Sequence, residues 1–134
     1  MKMIGKFSMK YHDGFYAVFR VLVGLLFMQH GAQKLFGMFN FQAAPVMSMF
    51  GVAGVIEFFG GLAIALGLFT RLAALVSAIE MLAAYFIAHV PNGLVPILNQ
   101  GELALLYFAS FLILMVYGAR KLSLEKALLK KEMF

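Results

Sequence analysis

The chain has 134 residues, 63% of them hydrophobic and 13% charged, with a mean hydropathy of +0.92. Soluble domains carry roughly 25% charged residues, so composition alone places this chain among integral membrane proteins. Cysteine is absent, which excludes disulfides, thiolate metal sites and dithiol relays. The formal charge of +5 comes from bases that flank apolar runs, as lipid headgroups and topology require, and not from bases set among exposed aromatics, so nucleic acid is excluded as a partner.

The first residues, MKMIGKFSMK, have the basic start of a signal peptide. The apolar run behind them is longer than an h-region of about 7–15 residues, and no A-x-A-like site closes it. The first span is therefore expected to stay in the mature protein. A membrane-crossing helix needs about 20 apolar residues, and the segments 15–36, 50–69, 72–90 and 102–119 answer to that length. The expected fold is all-α: one domain over residues 1–134, built as a four-helix transmembrane bundle with the lipid bilayer as its solvent.

Lys2, Lys6, Lys10, Arg71, Arg120, Lys121, Lys126, Lys130 and Lys131 fall on one side of such a bundle, and the two opposite loops carry no Lys or Arg. The positive-inside rule then puts both termini in the cytoplasm. The basic tail, 120–134, reads either as an amphipathic segment lying on the inner membrane surface or as a solvated stretch whose charges fix topology.

The first span contains Arg20, His30 and Lys34. At about 100° per residue these three share one broad helix face with Gly24 and Gly31. In the second span Gly54 and Gly61 lie on the face of Glu57, where they admit a neighbouring backbone, and Gly60 adjoins them. The third span carries Glu80 in a stripe of small residues and ends near His89; the fourth opens on Glu102. With a rise of about 1.5 Å per residue, Glu80 lies ~13 Å, Glu57 ~21 Å and His89 ~27 Å beyond Arg71, and His30 reaches the level of Glu57. His30 and Lys34 are thus expected to face Glu57, His89 and Glu102 in the outer half of the bundle.

Ionisable residues inside a membrane are candidates for function. The plain alternative is internal glue, ion pairs that fix helix register, with Arg20 snorkelling to the inner surface and Glu102 serving the helix dipole. A quinone or quinone-like aromatic needs donors at its oxygens and a group that exchanges protons, which His30, His89, Lys34 and Glu57 supply, with Arg20, Glu80 and Glu102 as further binding groups. A haem would need His30 and His89 as axial ligands, and no attachment motif supports it. A metal is not expected, since neither H-x-x-x-H nor E-x-x-H spacing occurs.

An arginine early in the first span, HGAQKLFG closing it, IEFFGGLAIALGLFTRLAA across the second joint and NQGELALLY opening the fourth span resemble the DoxX family of small four-helix membrane proteins, over about residues 14–125. Carried over residue by residue, the family motif marks Arg20, His30, Gly31, Lys34, Glu57, Gly60, Gly61, Gly67, Arg71 and Glu102. The closing GARKLSLEKAL resembles the family's Gly-x-Gly-x-x-Ser-Leu-Asp ending, with Ala119 and Arg120 after Gly118 and Glu125 near the family's aspartate. The resemblance implies a membrane subunit of a bacterial oxidoreductase system, such as the DoxD-type thiosulfate:quinone or catechol-linked kinds, or of a complex that handles oxidative stress, set in the prokaryotic plasma membrane. A chain of this size needs a soluble or membrane redox partner. A non-catalytic scaffold that docks such an enzyme, a small-molecule transporter and association of two copies through the glycine faces remain as alternatives.

Overall fold

Helices begin and end where the sequence supplies caps. In the computed structural model, which describes residues 2–131, the chain forms α1 (Lys2–Lys10), α2 (His12–Phe36), α3 (Met49–Leu66), α4 (Thr70–Ala84), α5 (Pro96–Asn99), α6 (Glu102–Tyr117) and α7 (Leu124–Leu129). Helix α4 runs on through a π turn, Tyr85–His89, and a 3-10 turn, Val90–Asn92. No strand occurs among the described residues. Gly37, left-handed at φ 65°, ends α2 by donating to Gln33, and the Ser48 hydroxyl accepts from Gly51 N–H to start α3. Gly67, at φ 73°, turns the chain from α3 into α4, a conformation that glycine adopts without steric cost.

Three helical stretches, His12–Phe36, Met49–Leu66 and Thr70–Asn92, are long and apolar enough to cross a membrane. Glu102–Tyr117 is shorter, at 16 residues, or about 24 Å against a hydrocarbon core of about 30 Å. Large apolar side chains such as Phe59, Ile79, Phe86 and Leu106 are exposed on the outside of these helices, the inverse of a soluble bundle and consistent with lipid as the surrounding solvent. Helix α1 was not expected from hydropathy, whereas α7 falls within the tail for which an amphipathic segment was one of the two readings. Of the expected tail, residues 132–134 lie outside the described residues.

Helices α2 and α3 pack backbone to backbone. A Cβ on Gly24 would stand 2.5 Å from Ala65 N, one on Gly31 2.2 Å from Phe58 N, and one on Gly61 2.5 Å from Gly24 O. These approaches leave no room for any side chain. Gly54 serves the same contact, its missing Cβ facing that of Lys34 at 2.8 Å. Gly60 differs: it looks toward α4, with Ser77 Oγ 3.0 Å from where its Cβ would be. Helix α4 packs on α6, and the two hairpins meet over an aromatic core in which Phe27 touches Phe111 and Tyr107 at ring-centroid distances of 4.7 and 5.2 Å.

At the end of the bundle that carries both termini, cationic side chains close the carboxyl ends of helices. Arg20, 3% exposed, donates through Nη1 to Ala119 O at 2.7 Å and through Nη2 to Ala65 O at 3.4 Å. Arg71 donates to Met115 O at 2.9 Å and also to Val116 O, and the Tyr16 hydroxyl donates to Gly118 O at 2.6 Å. Terminal carbonyls that no turn of helix can satisfy are thereby paired, with positive charge at the negative end of the dipole. The start of the tail docks on this end: Glu125 is fully buried and its N–H donates to Gly67 O at 3.1 Å. A wholly solvated tail is not what the fold shows over residues 118–125.

Candidate functional site

At the opposite end, α2, α3, α4 and α6 separate enough to leave a cavity of about 400 Å³. His30 and Lys34 reach it from α2, Glu57 from α3, Glu80 and His89 from α4 and its π turn, and Tyr107 from α6. The remaining walls are apolar, and Met49, Phe50, Val52, Ile87 and Leu103 both line the cavity and are exposed on the outer surface. The cavity therefore opens sideways, onto the face that lipid would cover.

Its polar floor is an ion pair with a second acid beside it. Lys34 Nζ donates to Glu57 Oε2 at 2.6 Å, with the two side chains 15% and 4% exposed. The Glu80 carboxyl lies beside Glu57, and among the described residues no donor reaches its buried Oε2. One ammonium facing two carboxyls makes a set in which a single proton decides whether the cluster is neutral. The ring of His30 meets the edge of Tyr107 at a centroid distance of 5.9 Å. Bringing Lys34 to Glu57 depends on the α2–α3 glycines, because a helix held off by side chains would leave both charges short of each other.

His89 stands at the outer rim. The π turn, closed by Val90 N–H to Tyr85 O, widens the helix there, and π turns of this kind recur at functional sites. The rings of Tyr85 and His89 lie 6.3 Å apart. His89 Nδ1 is 3.0 Å from the carbonyl of Asn99. Asn99, 3% exposed, holds its own segment: Nδ2 donates to Gly93 O at 2.8 Å and Oδ1 accepts from Gly101 N–H at 2.8 Å.

Of the residues singled out by sequence, His30, Lys34, Glu57, Glu80 and His89 come together. Arg20 does not: it is tied to carbonyls at the far end of α2. Glu102 is exposed in the first turn of α6 and is not among the cavity residues, whereas its neighbours Gln100, Leu103 and Ala104 are. Sequence reasoning missed Asn99, Gln100 and Tyr107. All three stand in the NQGELALLY stretch, which carried the signal, but a tyrosine amid leucines reads as core. Among the described residues no group of three or more His, Asp or Glu is placed to hold a metal ion.

The sequence profile of the DoxX family matches residues 15–90, α2 through the π turn. The chain belongs to the DoxX family. A protein of Haemophilus influenzae described only as uncharacterised is 41% identical over 129 residues, covering 91% of this chain and 96% of that relative. No solved structure matches it. Within the DoxX segment the motif residues divide by position. Gly31, Gly61 and Gly67 shape the backbone, Arg20 and Arg71 close helix ends, and His30, Lys34 and Glu57 face the cavity.

Proposed function

We propose that this DoxX protein is the membrane subunit of an oxidoreductase system and that its cavity binds a quinone or quinone-like aromatic. The observation that carries this reading is the cavity's make-up: ionisable groups at the floor, apolar walls, and an opening toward lipid. Small-molecule sites are mostly apolar with a few convergent polar groups, and a lipid-soluble ring with polar oxygens matches that division. In this reading Lys34 and His30 bind ligand oxygens, while Glu57, with Glu80 and His89, exchanges protons. Electrons pass between the ligand and a partner protein, since the chain has no cysteine and the cavity groups exchange protons, not electrons. The four helices span a prokaryotic plasma membrane as one domain, with both termini in the cytoplasm.

A second reading rests on the other end. Lys2, Lys6, Lys10, Lys121, Lys126, Lys130 and Lys131 are all exposed there, a surface that would dock an acidic soluble enzyme, with the intramembrane charges serving only the fold. The test is purification in mild detergent followed by solvent extraction and mass spectrometry, for wild type, His30→Ala and Glu57→Gln. A stoichiometric quinone in wild type that is lost in both variants is the expected result. Equal retention in both would overturn the pocket assignment, and a quinone-free wild type whose partner is lost with the basic tail would establish the scaffold.

A further inference from the structure

A carbonyl oxygen only accepts hydrogen bonds, so the 3.0 Å contact between His89 Nδ1 and Asn99 O requires the proton on Nδ1. In a neutral imidazole this leaves Nε2 as a bare acceptor, because the partner of one ring nitrogen sets the role of the other. Among the described residues Nε2 has no hydrogen-bond partner, yet it is not buried out of reach, and His89 lines the cavity. The arrangement is fixed in place. Asn99 is clamped through both ends of its amide, and Gly101 lies so close that a Cβ there would meet the Tyr85 ring at 2.6 Å.

Resting on the aromatic-ligand reading above, we infer that the cavity selects the reduced, hydroxyl-bearing form of its ligand, a hydroquinone or catechol, with His89 Nε2 as the acceptor for one hydroxyl. An oxidised quinone has only acceptor oxygens, so Lys34 and His30 can serve it but it leaves His89 Nε2 without a donor, whereas a hydroxyl-bearing ring satisfies both. A site built to hydrogen-bond a substrate hydroxyl discriminates strongly against the analogue that lacks it, because its own polar groups are then left unpaired. The Asn99 carbonyl orients His89 and makes no contact with ligand, so Asn99 is a positioning residue.

The test uses full-length protein in lipid nanodiscs, titrated anaerobically by calorimetry with duroquinol and with duroquinone. Wild type is expected to bind the quinol at least about tenfold more tightly, the worth of one hydrogen bond. His89→Phe should lose the preference through weaker quinol binding, and His89→Gln, which retains an acceptor oxygen, should keep part of it. Equal or reversed preference in wild type would overturn the inference, as would an undiminished preference in His89→Phe. Binding of neither form would sink the aromatic-ligand reading itself. The geometry is checked apart from ligand by histidine ¹⁵N spectra of the free protein, assigned by the signal lost in His89→Gln: a proton on Nδ1 with bare Nε2 is expected, and a proton on Nε2 would overturn the inference.

Discussion

Lys34 and Glu57 sit 2.6 Å apart with little exposure, so each is the other's main compensation for leaving water. Removing one partner strands the other, which typically costs about 3–5 kcal/mol, while replacing both by uncharged residues of similar size is close to neutral. Lys34→Met and Glu57→Gln should therefore each lower the thermal midpoint in detergent by several degrees, and the double substitution should recover most of the loss. A double variant no more stable than either single one would show that the charges do not compensate each other. The cycle also separates fold from function: the double variant, though stable, is expected to retain no quinone if the pair binds ligand oxygens. Arg20 is a different case, since its partners are backbone carbonyls at helix ends and its loss would be felt in assembly of the basic end.

At the scale of elements, the α2–α3 hairpin is set by glycine. The place of a Cβ on Gly31 is 2.2 Å from a backbone nitrogen, and backbone cannot swing aside as a side-chain tip can. Gly31→Ala must push the helices apart and should cost about 1–3 kcal/mol, as overpacking does. It should also weaken quinone retention, because Lys34 lies one turn further along the same helix. Gly60→Ala provides the contrast, its closest neighbour being the Ser77 hydroxyl at 3.0 Å, and should be tolerated better. Equal melting temperatures for the two variants would remove the backbone contact as the reason for these glycines.

For the whole molecule, the distribution of charge gives two unlike ends. Helix α1, Arg71 and the lysines of the described tail gather at one, and the segment from Val90 to Gly101 at the other has neither Lys nor Arg. The positive-inside rule predicts that the basic end is the cytoplasmic one, as in the topology proposed above. Since the chain has no cysteine, single cysteines report the orientation directly. Asn92→Cys and Lys126→Cys both replace exposed residues. A membrane-impermeant maleimide should label the first in intact spheroplasts and the second only after permeabilisation; the opposite pattern would invert the topology.

Composition and hydropathy by themselves determined the membrane class, and the starts and ends of the apolar helices follow from local signals such as Gly37, Ser48 and Gly67, because length, apolarity and capping are properties of contiguous residues. The shared depth of His30, Lys34, Glu57 and His89 was legible for the same reason, helical rise being regular, whereas Glu80, placed by the same rise about one and a half turns nearer the basic end, joins them only in the fold. What only the tertiary structure decided is which polar groups meet. Arg20 and Lys34 share a helix face, yet 14 residues of rise, about 21 Å, send one to the carbonyls of the basic end and the other to the cavity. Glu102 and Tyr107 share α6, yet the packing of α6 on α4 turns the tyrosine inward and leaves the carboxylate outside. The tautomer of His89 depends on a carbonyl ten residues later, brought back by a loop folded around Asn99. Such contacts arise from helix against helix and loop against helix, and no periodicity along a single segment encodes them.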